Sequence, residues 1–450
     1  MCASRLRFCV VHATAAFVFA LCGLGLAASG PNETPEMRPD PVAKPDGKRD
    51  AVFCFADARR LYVRAPGEIG YNRLSELERL WPSELTDRQR SLLTEWLGKN
   101  SDALAQLRLG VQMAQDANPF RDDIGWSDDT AQEEFDMLPE LARMTALRAK
   151  LTAAEQGLTA EAQEDLLVCY RLGSELAQSA SLGKYLVGIA IHGLASGVVF
   201  DTLARTPVDT TTMLRLQTCI QQAAAAGAGS VANIIRGQRL CFIPPLRRSF
   251  EGTDPRSKLK HDEAVFYAVE LDLTWEEMDA LDLRYGRTIW DFAAGYAYCR
   301  LFLSLSPLER RARRLDFWKD LARLTHENPL VNLVMFNGPM VARARANYSA
   351  HQDALVATLA LLRYRAEKGG FPDTLEELVS AGFMSRLPMD PYSGNPLVYR
   401  RMDADFILYT WGEDFDDDGG RHCDWGQHIE GGDHVFWPVQ PPVAPGLRGK

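Results

Sequence analysis

The stretch MLPELARMTALRAKLTAAEQGLTAEAQEDLLVCYRLGSELAQSASL, Met137 to Leu182, decides the fold class. Its apolar residues recur at intervals of three and four, the spacing that lines one face of an α-helix. The pattern runs twice and breaks once, at EQGLT, where Gly157 can stop one helix and Thr159 can start the next. The segment therefore reads as a helical hairpin, and the same period continues on both sides of it. Upstream, in LTDRQRSLLTEWLGKNSDALAQL, Thr86 and Gln89 have capping-box spacing, which predicts a helix from Asp87 with Leu92, Leu93, Trp96 and Leu97 at helical intervals. Downstream, GKYLVGIAIHGLASGVVFDTLARTPVDTTTMLRLQTCIQQAAAAG reads as an apolar helix, a break at Pro207 and another helix. Thr274 and Glu277 open a further one in the same capping-box spacing. Residues 51–345 are thus expected to form an α-helical domain, an antiparallel bundle or solenoid-like stack that buries itself helix on helix.

Composition agrees with a globular chain. At 450 residues there is material for two or three domains, and 46% hydrophobic with 24% charged residues argues against both wholesale disorder and a multi-span membrane protein. The formal net charge of −10 argues against nucleic acid as a partner, because phosphate binding needs a basic stripe. The two nearest basic runs, Arg239 to Phe250 and Arg310 to Lys319, are interleaved with apolar residues and read as amphipathic helix faces.

The N-terminus, MCASRLRFCVVHATAAFVFALCGLGLAASG, has two arginines, an apolar run and small residues at its end, the grammar of an export signal. Residues 1–28 are read as a signal peptide or an uncleaved N-terminal anchor, which would be the only contact with a membrane. Either places the body outside the cytoplasm, in the periplasm, the cell envelope or the medium. Residues 29–50, rich in proline and polar groups, read as a disordered linker, and 441–450 as a loose tail. Beyond the signal, Cys54, Cys169, Cys219, Cys241, Cys299 and Cys423 are scattered, leaving buried thiols and one or two disulfides equally open.

The character of the chain changes near Asn347. NYSAHQDALVATLALLRYRAEKGG predicts one helix with Leu355, Leu359 and Leu362 on a single face, closed by Gly369 and Gly370; FPDTLEELVSAGF predicts a short one. LPMDPYSGNPLVYRRM and DFILYTW read as paired strands, and DHVFWPV as a third run. Between the last two lies GEDFDDDGG, with five carboxylates in the six residues Glu413 to Asp418. Residues 412–434 carry eight acidic groups and one arginine, a local charge that favours a divalent cation.

The order of these motifs resembles the globular domain of the major, G-type pseudopilins of type II secretion systems. The resemblance rests on Gly370, Phe371 and Pro372; on Asp390, Pro391, Tyr392, Gly394 and Pro396; on Tyr409, Gly412 and Asp414; and on Gly419, Gly420 and Asp433. It implies that residues 346–440 form a small α+β domain, and that the acidic loop binds Ca²⁺. Asp414 and Asp433 match the family's positions most directly, while Asp416, Asp417 and Asp418 lie where the loop supplies further oxygens. The loop is longer here, and His434 stands where an apolar residue usually follows the aspartate. The leader, peptidase site and long N-terminal helix of a pilin are missing from the matching position, so assembly into a pseudopilus is not implied. The helical region containing YLVGIAIHGLA is similar to that of uncharacterised exported proteins of planctomycete-type bacteria, a likeness that brings no activity with it.

A rival set of softer ligands sits beside the same loop: His422, Cys423, Asp424, His428 and His434 suit Zn²⁺ chemistry, and with it a metal-dependent hydrolase. The sequence has no Walker A loop, GxSxG elbow or HExxH pair, so no catalytic residue is assigned. GAGSVA, Gly227 to Ala232, follows QQAAAA rather than a strand and reads as a helix break, not a dinucleotide loop. The expected role is an exported binding or scaffold protein with a calcium-stabilised C-terminal domain and a protein partner; an accessory of a type II secretion-like system is a further alternative by domain analogy.

Overall fold

The computed structural model describes residues 51–69, 74, 77–114, 119–120, 129–227, 231–271, 273–423 and 432–440. The expected signal, linker and tail lie outside the described residues. Within them the chain is mostly helical, with a small antiparallel sheet near the C-terminus.

Among the described residues the fold opens with α1 (Ala51–Leu61), α2 (Asp87–Lys99) and α3 (Ser101–Ala114), with α1 lying along α3. The start of α2 is the expected capping box: Gln89 N–H donates to Thr86 Oγ1 at 3.3 Å, and Thr86 N–H donates to Gln89 Oε1 at 2.9 Å. The hairpin follows as α4 (Asp129–Gln156) and α5 (Ala160–Ala177), separated by Gly157 in the left-handed region at φ 74° and capped by Thr159. Next come α6 (Leu182–Arg205) and α7 (Thr210–Gly227); α5 packs against α4, α6 and α7 and is the middle of this group. By length and composition α6 could cross a membrane, yet it packs against α4, α5 and a later helix, and 61% of its apolar window is buried within the protein. It serves as a core helix here.

A second group surrounds a separate apolar cluster built on Phe292, Tyr296, Phe302, Phe317 and Leu321. Its elements are α8 (Val231–Arg248), α9 (His261–Glu270), α10 (Trp275–Ala280), α11 (Tyr285–Ser304), α12 (Pro307–Ala312), α13 (Phe317–Leu324) and α14 (Pro329–Val334). The capping box expected at Thr274 and Glu277 opens α10.

The long helix α15 (Gly338–Lys368) then runs without interruption across residues 345 and 346, where the helical part was expected to give way to the C-terminal part. Leu355, Leu359 and Leu362 are buried as the periodicity requires, but so is every other residue from Ala354 to Leu362. The reason is that α15 is covered on several sides: α6 and α7 pack on it, as do the sheet and the short helix α16 (Leu375–Ser380). The strands are β1 (Val398–Arg401), β2 (Phe406–Thr410) and β3 (His434–Trp437), in spatial order β1-β2-β3. Tyr399 pairs with Leu408, and Tyr409 pairs with Val435. One continuous apolar cluster joins Leu166 and Tyr170 of the hairpin, Leu355 and Leu359 of α15, and Phe406, Leu408 and Trp437 of the sheet. None of the six described cysteines is joined in a disulfide, and burial pushes the Cys299 thiol up to about 12.

Candidate metal-binding loop

The acidic loop hangs from the end of β2. That end is fixed by Asp390, a fully buried carboxylate that accepts from Thr410 Oγ1 at 2.5 Å, from Trp411 N–H at 3.2 Å and from Tyr392 N–H at 2.9 Å. Asp390 therefore ties the DPYSGNP turn to the strand that launches the loop. The chain leaves β2 through Gly412 and turns at Phe415, whose φ of 65° is uncommon for a residue with a side chain. Phe415 is held from the helical side: the Arg311 guanidinium stacks 4.7 Å from its ring centroid and donates to Asp414 O at 3.3 Å. Glu413 faces α15, with Arg343 at 3.7 Å and Asn347 Nδ2 donating at 3.4 Å.

The five aspartates of the expected site have different surroundings. Asp414 Oδ2 accepts Gly432 N–H at 2.8 Å and its Oδ1 accepts Asp416 N–H at 3.3 Å, so this carboxylate organises backbone. Asp416 is exposed and accepts Asp417 N–H at 3.0 Å. Asp417 Oδ1 accepts the hydroxyl of the buried Tyr409 at 2.9 Å and Gly419 N–H at 3.0 Å. Asp418 has one oxygen 3.7 Å from Arg421 and the other, Oδ2, buried without a hydrogen-bond partner. Asp433 is fully buried. Its backbone is clamped by Asp433 N–H donating to Arg421 O and Cys423 N–H donating to Asp433 O, both at 2.8 Å. Its Oδ2 accepts Gly420 N–H at 2.6 Å, and its Oδ1 has no partner.

The electrostatics follow from this geometry. Burial pushes the Asp433 carboxyl up to about 6; the Gly420 and Asp418 amides oppose the shift, and the charges of Asp417 and Asp418 add to it. Asp417, Asp418 and Asp433 thus share one strongly negative region, with two buried carboxylate oxygens left over. A hard divalent cation has the charge and the oxygen preference that suit such a region. Bound there, its two positive charges would offset two of the three negative ones. Among the described residues no three His, Cys, Asp or Glu side chains converge at ligating distance, so carbonyl oxygens or water would complete the shell.

The softer set fares differently. His422 Nδ1 accepts Val435 N–H at 3.2 Å, and His434 Nδ1 donates to Cys423 O at 3.1 Å, so both imidazoles splice the loop onto β3. Asp424 and His428 lie outside the described residues. The sequence placed Asp390 in the DPYSGNP motif without its role at the strand end, and gave no role to Arg311, Arg343 or Asn347. Arg311 lies inside a basic run whose spacing reads as a helix face, and only the folded chain brings it to Phe415. No protein-family model matches the chain, and neither the curated proteins nor the solved structures contain a match to it.

Proposed function

We propose that the chain is an exported binding or scaffold protein, with its helices as an antiparallel bundle or solenoid-like stack and a pseudopilin-like α+β region at its C-terminus that Ca²⁺ stabilises. The observation that carries the metal reading is Asp433: fully buried, with Oδ1 unpartnered and its carboxyl raised beside Asp417 and Asp418. In the absence of a cation such a group is costly, and a divalent ion converts the cost into a clamp between the start of β3 and the end of the loop. Support for a partner surface comes from the second helical group, where Trp290 is 68% and Trp318 is 48% exposed; large exposed aromatics are typical anchors of protein interfaces.

The experiment is thermal unfolding of the full chain with Ca²⁺ and with EGTA. For an affinity of about 0.1 mM and about 1 mM free Ca²⁺, linkage gives roughly 1.4 kcal/mol of stabilisation. Chelation is expected to lower Tm, and Asp433→Ala to abolish the difference. An identical melting curve in EGTA removes the calcium reading.

A further inference from the structure

A cavity of about 300 Å³ opens where α3, the C-terminal half of α4 and the start of α5 meet. Its volume is at the small end for a site that takes an organic molecule. α3 lines it with Arg108 and with the apolar Ala105 and Leu109, α4 with Arg148, and α5 with Glu161. Behind the two arginines lies Asp165, 1% exposed and not part of the lining. Arg148 donates to it from Nε to Oδ2 and from Nη2 to Oδ1, both at 2.7 Å, and Arg108 Nη2 donates to Oδ1 at 2.6 Å. A guanidinium carries more N–H groups than these bonds use. The Arg108 and Arg148 side chains also keep 31% and 23% of their surface, so the pair can be reached from the cavity.

The balance of charge decides what such a cavity can recognise. Two arginines share one carboxylate, which leaves one positive charge in excess on their side. Glu161 supplies the opposite sign. It is exposed in the first turn of α5, acts on Arg148 through space, and forms no hydrogen bond or ion pair with another described side chain. With Asp165 counted, the site is neutral as a whole but divided: positive at the arginines, negative at Glu161. A simple anion would be repelled by Glu161, and a simple cation by the guanidinium pair. A molecule that carries both charges close together meets an opposite charge with each. Asp165 also fixes both guanidinium groups before any ligand arrives, which lowers the ordering cost of binding.

We propose that this cavity binds a free α-amino acid with an apolar side chain: its carboxylate pairs with Arg108 and Arg148, its ammonium group with Glu161, and its side chain lies against Ala105 and Leu109. The inference goes beyond the calcium reading, and none of the lining residues belongs to the acidic loop. Binding is expected to be the same in Ca²⁺ and in EGTA, so the two ideas fail separately.

The test is calorimetric titration of the full chain at neutral pH with L-leucine, with 4-methylpentanoate, which lacks the ammonium group, and with 3-methylbutylamine, which lacks the carboxylate. The expected result is saturable one-site binding of L-leucine, with each analogue weaker by about tenfold or more, the effect of losing one charge-assisted contact. Glu161→Gln, at an exposed position, is expected to erase the preference over 4-methylpentanoate while keeping the preference over the amine. Arg108→Gln is expected to weaken L-leucine and 4-methylpentanoate together and to leave the amine unchanged. A Glu161 that is merely solvated would leave the preference over 4-methylpentanoate intact in its variant. That pattern overturns the proposal, as does equal affinity of the wild-type chain for the three probes or no saturable binding of L-leucine; the wild-type comparison decides even where Arg108→Gln does not fold.

Discussion

Asp390 and Asp165 show what single buried carboxylates do in this chain. Asp390 accepts two backbone amides and a hydroxyl, so Asp390→Ala leaves three donors unmet, for an expected loss of about 3 kcal/mol in urea unfolding. Asp390→Asn keeps an acceptor and should lose less. Asp165, 1% exposed on α5, receives Arg108 at 2.6 Å and Arg148 at 2.7 Å and so ties α3 and α4 to α5. Asp165→Ala is expected to cost about 3 kcal/mol, at the lower end for a broken buried pair because the arginines keep some access to water. The contrast is Arg88 with Glu68, both mostly exposed: Arg88→Ala should leave urea unfolding nearly unchanged despite its short contact. Neither buried role was legible beforehand. Asp165 looks in sequence like any polar position on an amphipathic helix, and its partners come from two other helices.

At the scale of elements, helix starts were legible because they are local. Thr86 with Gln89, Thr159, and Thr274 with Glu277 each cap the helix their spacing announced. Thr86→Ala is expected to remove about 1 kcal/mol. The α5–α6 contact was not legible, because it depends on backbones meeting. A Cβ on Gly188 would lie 2.4 Å from Gly173 O and 2.7 Å from Ala177 N, so no side chain fits without moving the helices apart. Gly188→Ala should therefore destabilise by about 1–3 kcal/mol through overpacking, although alanine is the better helix former. A neutral or stabilising result in urea unfolding would show that the two helices are not in that contact. The uninterrupted run of α15 was likewise hidden: the change in motif content near Asn347 marks where the sheet-bearing half begins to pack, not where the helix begins.

For the molecule as a whole, the apolar cluster shared by hairpin, α15 and sheet couples the parts that the sequence suggested as separate. A fragment of residues 346–440 would expose the α15 face that packs on α6 and α7, so its amide spectrum is expected to be poorly dispersed. The acidic loop belongs to this shared body through Arg311, Arg343 and Asn347, and its metal chemistry should be felt in global stability. The sign with pH follows from Asp433. Its folded carboxyl sits at about 6, above the ordinary 3.8, so its contribution to stability is greatest below the lower value and is lost as pH rises through the upper one. A cation reverses this by favouring the ionised form. The most direct measurement is the difference in Tm between wild type and Asp433→Asn, taken at about pH 5 and about pH 7.5, in EGTA and in about 1 mM Ca²⁺. In EGTA the variant should gain on the wild type as pH rises, because the amide carries no buried charge; in Ca²⁺ at the higher pH the wild type should be the more stable. A difference that is the same with and without Ca²⁺ at both pH values would contradict the account.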